Sequence, residues 1–220
     1  MKIIGRYAEK EVLNQCLNSN KPEFLAVYGR RRVGKTFLIR EYCKDHLVFS
    51  MSGAVNTPIK RQLQNFTEAL SEYSGIRADT AKDWFDAFRL LKQYLKGHLG
   101  TGKKVVFIDE LPWLATQRSG FLLALDHFWN TFASAREDML LIICGSATSW
   151  IIDNVINDRG GLHNRVTRQM WIEPFSLGEC EAFYKNNGIE LNRNQITELY
   201  MIFGGIPYYM NYVEKGMGPE

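Results

Sequence analysis

The sequence predicts an α/β fold in which helices cover both faces of a parallel, doubly wound sheet of about five strands. Short and solidly apolar runs alternate with stretches whose apolar residues recur at helical spacing. Apolar runs of this kind are typical of strands that are buried on both faces of a parallel sheet. Strands that alternate with helices need right-handed crossover connections, which place the helices on the two faces.

Four clear apolar runs and one weaker run give the predicted strands. The clear runs are residues 24–28, 47–51, 105–108 and 139–144, and the weaker fifth run is Arg168–Ile172. Apolar stripes at helical spacing lie between these runs and predict four helices. The stripes consist of Val12, Leu13, Cys16 and Leu17; Ile59, Leu63, Phe66 and Leu70; Trp84, Phe88, Leu91 and Leu95; and Phe121, Leu125, Phe128 and Phe132. We expect the second helix to begin with Thr57 as its N-cap and Pro58 in its first turn.

The last part of the chain has a helical pattern only. Ser176 and Glu179 form a capping box ahead of another apolar stripe, and Gly188 is expected to end that helix. We therefore predict a core at residues 1–175, followed at 176–220 by the start of a small helical lid subdomain.

Composition excludes several classes of protein. Hydrophobic residues make up 45% of the chain and charged residues 23%, as in ordinary soluble globular proteins. The net charge of +3 is too small to argue for nucleic acid. The opening residues lack the apolar stretch of a signal peptide, and the longest apolar run is far too short to cross a bilayer. We expect a cytoplasmic protein with no membrane partner.

The four cysteines are scattered, without the spacing of a metal site or a CxxC pair. They are Cys16, Cys43, Cys144 and Cys180. Buried free thiols in a reducing compartment are the expected state of all four.

A phosphate-binding loop follows the first predicted strand. Residues 29–36, GRRRVGKT, match the pattern GxxxxGK[ST] and open a predicted helix through Phe37. Glycines let backbone N–H groups turn toward a phosphate, and the helix N-terminus adds the positive end of its dipole. Lys35 would reach the β- and γ-phosphates, and the Thr36 hydroxyl would bind magnesium. With the parallel sheet, this loop predicts a P-loop NTPase.

The predicted nucleotide contacts of this loop are Gly29, Arg30, Arg31, Arg32, Val33, Gly34, Lys35, Thr36 and Phe37. The three consecutive arginines are unusual at these positions. One of them could contact phosphate or a partner, and at least two are expected to point into water.

Two acids follow the strand at 105–108. The carboxyl ends of parallel strands meet at one edge, so Asp109 and Glu110 should arrive beside the P-loop. Asp109 fits the magnesium-holding role, and Glu110 fits the role of orienting and deprotonating an attacking water. A water-activating ATPase needs such a base, whereas a small-molecule kinase does not. No NKxD guanine-reading motif is present, which favours ATP over GTP.

Further candidates follow the strand at 139–144. Ser146 would lie beside the γ-phosphate if that strand lies between the P-loop strand and the acid-bearing strand; otherwise its hydroxyl satisfies nearby backbone in a turn. Arg159, Arg165 and Arg168 lie in a polar stretch, and an arginine that meets developing charge accelerates phosphoryl transfer. Arg165 is the first choice, acting in its own chain or on a neighbour; the alternative is a surface arginine.

The chain resembles prokaryotic ATPases of the archaeal-type ATPase group, which are related to the signal-transduction ATPases with numerous domains (STAND) within the AAA+ class. The resemblance covers nearly the whole chain. It is carried by Ile4, Gly5, Arg6 and Glu9, by GRRRVGKT (29–36), VVFIDELPWL (105–114), CGSATSW (144–150) and HNRVTRQMWIEPFS (163–176), and by FGGIPY (203–208). It implies a five-stranded core followed by a helical lid, with Ile4, Gly5, Arg6 and Pro207 on the base side of the nucleotide.

Members of that group usually continue into a winged-helix segment and often into a nuclease-like domain. This chain stops soon after the lid begins, so we expect a truncated gene product or an excised ATPase region with an incomplete lid. A protein or DNA partner would then act through the missing C-terminal region, and the chain could form a homo-oligomer.

The leading hypothesis is an ATP-driven conformational switch of AAA+/STAND type that hydrolyses ATP slowly with Mg²⁺. Its catalytic residues would be Lys35, Glu110, Ser146 and Arg165, and its metal ligands Thr36 and Asp109. The rival is a non-hydrolysing, nucleotide-dependent interaction or DNA-associated module, in which exposed aromatic residues such as Trp113 or the loop arginines serve the partner. A phosphotransferase acting on a small metabolite is a third option, against which Glu110 argues.

Overall fold

The computed structural model describes residues 2–98, 102–157, 162 and 164–214. Within these residues, five parallel strands form one sheet in the order β2-β3-β4-β1-β5. The strands are β1 (Glu23–Gly29), β2 (Leu47–Ser52), β3 (Lys104–Asp109), β4 (Met139–Gly145) and β5 (Arg168–Ile172). The predicted fold class is therefore confirmed, and the weaker fifth run is the edge strand that pairs with β1.

Helices connect the strands and then form the lid. They are α1 (Tyr7–Leu17), α2 (Lys35–Tyr42), α3 (Ile59–Ser74), α4 (Trp84–Gly97), α5 (Leu111–Leu114), α6 (Phe121–Thr131), α7 (Thr148–Ile151), α8 (Leu177–Asn186), α9 (Arg193–Phe203) and α10 (Pro207–Met210). A π-helical turn at Ile152–Ile156 follows α7. The four predicted stripes lie on α1, α3, α4 and α6.

The predicted start of α3 was wrong by one residue. Pro58, rather than Thr57, is the N-cap, because its ψ of 147° is still extended and its carbonyl accepts the first helical hydrogen bonds. The Thr57 hydroxyl donates instead to the Val55 carbonyl, at 3.0 Å.

The sheet is apolar on both faces, and alternate residues of each strand pack against different helices. On β1, Phe24 and Ala26 face the layer that contains α3, α4 and α6, whereas Leu25 and Val27 face α1 and α2. Each layer therefore has its own apolar cluster, which explains why the strands show continuous apolar runs instead of alternation. All four cysteines are free and buried, as predicted.

The lid has a third apolar cluster of its own. Helix α8 begins with the predicted capping box of Ser176 and Glu179, and α9 begins with a second box, Asn192 with Gln195, that was not predicted. The lid returns to the end of the core at Gly205, whose carbonyl accepts from the Phe175 amide at 2.7 Å. A Cβ on Gly205 would lie 2.2 Å from the Phe175 carbonyl oxygen, so this close approach requires glycine.

Three charged residues, Lys104, Arg136 and Asp138, connect the start of β3 to the segment before β4 at the amino edge of the sheet. The Lys104 side chain is almost fully buried, and its Nζ donates to Asp138 Oδ2 at 2.5 Å. Arg136 donates to both carboxylate oxygens of Asp138, at 2.9 and 2.7 Å. The hydrogen bonds from Arg136, and after them those from Lys104, hold the pKa of Asp138 well below its usual range.

We predict that Asp138→Asn lowers the free energy of unfolding at pH 7 by roughly 2 kcal/mol, since hydrogen bonds to charged groups contribute about that much. A depressed carboxyl pKa stabilises the folded state above the pKa of the unfolded chain, and this contribution is lost as the pH falls through the folded pKa. The difference from wild type should therefore shrink below about pH 4. Urea titrations at pH 7, 5 and 3 measure it.

The matched control is Asp45→Asn, because Asp45 is exposed and makes no hydrogen bond or ion pair within the described residues. Its unfolding free energy should follow that of wild type at each pH. A loss in Asp138→Asn that is the same at all three pH values would contradict the role of the charge.

Candidate functional site

The loop between β1 and α2 has the strand–loop–helix geometry that the motif predicts. Gly29 ends β1, and a Cβ there would lie 2.3 Å from the Ile172 carbonyl oxygen, because β5 passes directly alongside. Gly34 is the N-cap of α2 in a left-handed conformation, with φ 92°. A Cβ on Gly34 would meet no described atom within 4 Å, so backbone conformation and not crowding requires glycine here.

Lys35 is folded over the loop that precedes it. Its side chain is 6% exposed, and its Nζ donates to the carbonyls of Gly29 and Arg30 at 2.8 and 2.7 Å. Burial lowers the pKa of this ammonium, while the nearby Glu110 and Asp109 act in the opposite direction. An ammonium has three N–H donors, so the two loop carbonyls leave one donor for an anion at the loop.

The two predicted metal ligands lie together at the carboxyl edge of the sheet. The Thr36 hydroxyl donates to Asp109 Oδ2 at 2.6 Å, and Asp109 Oδ1 accepts from the Glu110 amide at 2.9 Å. Asp109 is 3% exposed. A hydroxyl and a carboxylate are oxygen donors of the kind that Mg²⁺ prefers.

A search of the described residues finds no group of three or more His, Cys, Asp or Glu that could hold a metal ion. Mg²⁺ is usually held by one or two protein ligands together with water and substrate phosphates. Thr36 and Asp109 therefore fit a magnesium ion that arrives with a nucleotide.

Glu110 and Ser146 contact each other beside this pair. Strand β4 lies between β1 and β3, and the Ser146 hydroxyl donates to Glu110 Oε2 at 3.2 Å. Glu110 is left-handed, with φ 48°, where the chain turns from β3 into α5. Gly53 supports the turn, since its amide donates to the Asp109 carbonyl and a Cβ on it would lie 2.6 Å from the Glu110 carbonyl oxygen.

A cavity of about 420 Å³ runs from the P-loop to the lid. At one end it is lined by Lys35, Thr36 and Glu110, and toward the lid by Ile4 and Pro207. Three of the four residues that the family resemblance places on the base side, Ile4, Arg6 and Pro207, therefore line the same cavity as the phosphate loop. The half-exposed ring of Phe37 lines it as well.

Gly5 does not line this cavity and instead contacts the lid. A Cβ on Gly5 would lie 2.3 Å from Glu179 Oε1, the oxygen that accepts from the Arg6 amide. Gly5 therefore permits the close approach of the N-terminal segment to α8.

Arg6 lines the cavity too, and its guanidinium is also held by contacts within the protein. Its guanidinium donates to the carbonyl of Val33 at 3.0 Å and to that of Glu173 at 2.6 Å, and it lies 4.6 Å from the ring centroid of Phe175. It also pairs with Glu9 at 3.0 Å. Arg6 is only 5% exposed, and its buried side chain links the P-loop, the end of β5 and the lid.

The three loop arginines differ from one another. Arg30 and Arg31 are exposed, as expected for at least two of them. Arg32 is exposed too, but it contacts the lid: its Nη1 donates to the Tyr209 hydroxyl at 2.8 Å, and its Cζ lies 4.5 Å from the ring centroid of Tyr208. Tyr208 belongs to the FGGIPY motif that carries the family resemblance, but the sequence predicted no contact for it or for Tyr209.

Cys144 is another residue of the site that sequence analysis missed. It had been predicted only as a buried thiol, but it lies near the end of β4, beside Asp109 and Lys35. Burial, and after it the Asp109 carboxylate, raises the pKa of the thiol well above its ordinary value. Cys144 is therefore neutral and adds no charge to the site.

Arg165 lies away from the P-loop of its own chain. The Thr167 amide donates to the Phe24 carbonyl, which places this segment at the amino end of β1. Gly29 is five residues farther along β1, or about 17 Å at strand spacing. This position fits the alternative that Arg165 acts on a neighbouring copy, and it does not fit the alternative that Arg165 acts within its own chain. Arg168 contacts Gln15 and Glu23, and Arg159 lies outside the described residues.

Comparison with known proteins identifies the family. Residues 4–213 match the sequence model of an ATPase domain found predominantly in Archaea. The chain belongs to this family. It is 26% identical over 213 residues to the uncharacterized protein MJECL04 of Methanocaldococcus jannaschii, a match that covers 96% of this chain and 44% of that protein. The chain thus spans less than half the length of this relative.

Solved structures support the fold. The Walker-type ATPase PABY2304 of Pyrococcus abyssi superposes with a TM-score of 0.68 at 19% identity, over 94% of this chain and 65% of that one. The ORC2 protein of Aeropyrum pernix, solved in ADPNP and ADP complexes, gives 0.60 at 14% identity, over 95% and 60% of the two chains. Both show the P-loop NTPase fold. Among the described residues, no helix combines the length and the apolar character needed to cross a membrane.

We predict that Arg6→Met lowers the free energy of unfolding by about 2–3 kcal/mol, because it leaves the partly or fully buried carbonyls of Val33 and Glu173 without a donor. Urea unfolding of the ligand-free chain measures this change. Arg77→Met, at an exposed loop position, is the control and should unfold like wild type. Wild-type stability of Arg6→Met would contradict this structural role, and lost nucleotide affinity at wild-type stability would support a base-side contact alone.

Proposed function

We propose that this chain binds ATP with Mg²⁺ and hydrolyses it slowly, acting as a conformational switch of AAA+/STAND type. One observation carries the proposal: the Thr36 hydroxyl and the Asp109 carboxylate are 2.6 Å apart, directly beside the buried ammonium of Lys35. Cation, hydroxyl and carboxylate are the three groups that a P-loop ATPase uses to hold a magnesium-bound triphosphate. Membership of an ATPase family supports the same conclusion.

The P-loop and Lys35 bind the phosphates in this proposal. The amides of residues 29–36 and the N-terminus of α2 provide hydrogen-bond donors and a positive dipole end. Lys35 adds a charge whose burial excludes water and strengthens its attraction for phosphate oxygens. The loop carbonyls of Gly29 and Arg30 hold the ammonium in place, so little side-chain entropy is lost when the nucleotide binds.

Thr36 and Asp109 hold the magnesium ion. When bound, Mg²⁺ neutralises charge on the β- and γ-phosphate oxygens. The Asp109 carboxylate accepts from both the Thr36 hydroxyl and the Glu110 amide, which fixes its orientation.

Glu110 orients the attacking water and takes its proton. A carboxylate has about four lone-pair sites, so the single hydrogen bond from Ser146 leaves capacity for a water molecule. Ser146 fixes the Glu110 side chain from the neighbouring strand β4. Arg165 of an adjacent copy would meet the developing charge in a homo-oligomer, since its position excludes that contact within one chain.

The nucleoside half binds between the core and the lid. Ile4 from the N-terminal segment and Pro207 from α10 line the apolar end of the cavity. A nucleotide that contacts both the core and the lid couples ATP hydrolysis to the position of the lid. This coupling is the basis of the proposed switch. ATP is preferred because the chain has no NKxD guanine-reading motif. The four buried free thiols fit a reducing compartment such as the cytoplasm.

One observation favours a second candidate function, a nucleotide-dependent interaction module that does not turn over. Trp113 is 40% exposed and lies on α5, in the turn that Glu110 begins. A partner protein or DNA that contacts this ring would be sensitive to the state of Glu110. The experiment below separates the two candidates.

We predict that Lys35→Ala abolishes ATP binding, and that Glu110→Gln binds Mg-ATP normally but releases phosphate at least about a hundredfold more slowly. Loss of a general base typically costs roughly 10²- to 10⁴-fold in rate. Binding is measured by calorimetry, and phosphate release by a continuous assay, with and without duplex DNA.

Glu190→Gln removes an exposed carboxylate of the lid and should match wild type in both assays. Undiminished phosphate release from Glu110→Gln would refute the role of that residue. Tight ATP binding by wild type without any phosphate release, with or without DNA, would establish the second candidate instead.

A further inference from the structure

We propose that Arg32 is a positioning residue: it holds α10 of the lid against the nucleotide cavity through Tyr208 and Tyr209, and thereby sets the affinity for the nucleoside half of the ligand. The inference rests on the proposed nucleotide site and adds a residue that the phosphate-binding motif does not specify. Arg32 occupies one of the variable positions of that motif, where no particular side chain is needed to bind phosphate.

The contact between Arg32 and the two tyrosines is both polar and aromatic. Nη1 of Arg32 donates to the Tyr209 hydroxyl at 2.8 Å. The guanidinium carbon lies 4.5 Å from the ring centroid of Tyr208 and 5.3 Å from that of Tyr209. The two rings are nearly perpendicular, at 83°, and the guanidinium lies close to both of them while the Arg32 residue remains exposed.

The backbone of Arg32 is also unusual. Its φ of 71° lies in the left-handed region, which glycine adopts freely and other residues adopt at a cost. All three loop arginines are exposed, but within the described part of the chain Arg30 and Arg31 make no ring contact. The contacts with the lid offset the strain of placing a long cationic side chain at this position.

Helix α10 faces the cavity, together with the C-terminal end of α8. Pro207 and Tyr208 line the cavity, whereas Met210, on the same helix, is buried in the apolar cluster of the lid. The chain enters α10 through Gly204 and Gly205, which both have left-handed φ values, of 61° and 67°. A short helix behind such a turn depends on side-chain contacts for its position, and Arg32 supplies the contact to the P-loop.

The two halves of the nucleotide meet different parts of the site. Phosphates meet the loop amides and Lys35, neither of which depends on the lid. The nucleoside meets Ile4, Pro207 and the wall that α10 forms. Loss of the Arg32 contact should therefore weaken binding of a nucleotide while leaving binding of an inorganic polyphosphate unchanged.

The test is calorimetric titration of wild type and Arg32→Ala with two ligands, Mg-ADP and magnesium tripolyphosphate. We expect the Kd for ADP to rise about tenfold, since one cation–π contact and one charged hydrogen bond are lost. The Kd for tripolyphosphate should stay within about twofold. Arg193→Ala removes the same charge from an exposed position of α9 and should leave both constants unchanged.

Two further variants separate positioning from simple charge. Tyr209→Phe removes only the accepting oxygen and should weaken ADP binding about threefold, but should have no further effect in the Arg32→Ala background. Arg32→Lys keeps the charge and loses the planar fork, so it should restore ADP affinity only in part. Because Tyr209→Phe changes a single atom, it tests the same contact even if Arg32→Ala fails to fold.

Equal weakening of ADP and tripolyphosphate by Arg32→Ala would assign Arg32 to phosphate binding and overturn the inference. Unchanged ADP affinity in both Arg32→Ala and Tyr209→Phe would overturn it as well. Failure of wild type to bind either ligand is a different result, because it refutes the nucleotide site itself.

Discussion

The hydrogen bond between the Thr36 hydroxyl and the Asp109 carboxylate joins the two halves of this site, and the order of the strands makes it possible. Thr36 follows β1 and Asp109 ends β3, with β4 inserted between them. The parallel arrangement brings the carboxyl ends of all three strands to one edge, so that the loop, the acids and Ser146 meet there. A different order would separate the cation from the carboxylates and leave a phosphate loop without a metal ligand.

Local pattern was enough to predict the sheet, the P-loop and the acid pair. Each of these depends on residues that are close in sequence: solid apolar runs for buried strands, and a fixed spacing for the loop. Even the weak run Arg168–Ile172 was predicted correctly, because its buried side chains still alternate. The position of Ser146 beside Glu110 could be predicted only on the condition that β4 lies between β1 and β3. The sequence does not specify that strand order.

Contacts between distant residues could not be predicted in this way. Arg32 and Tyr209 are 177 positions apart, and Arg6 and Glu173 are 167 apart. Each contact depends on how the lid and the N-terminal segment dock on the core, which no local periodicity encodes. The resemblance to a family suggested a base contact for Arg6, and Arg6 does line the cavity, but its hydrogen bonds to the Val33 and Glu173 carbonyls could not be predicted. The two arginines thus have different contacts: Arg6 is buried and bonds to the P-loop, whereas Arg32 extends from the P-loop and contacts the lid.

A crystal structure of the chain with Mg²⁺ and a non-hydrolysable ATP analogue tests the proposed nucleotide site most directly. We expect phosphate oxygens within about 3 Å of Lys35 Nζ and the loop amides. We also expect a metal ion bound by the Thr36 hydroxyl on the side of the loop that faces Asp109, and the nucleoside between Ile4 and Pro207. A nucleotide bound elsewhere, or a triphosphate at the loop with no metal ion near Thr36 and Asp109, would contradict the proposed site.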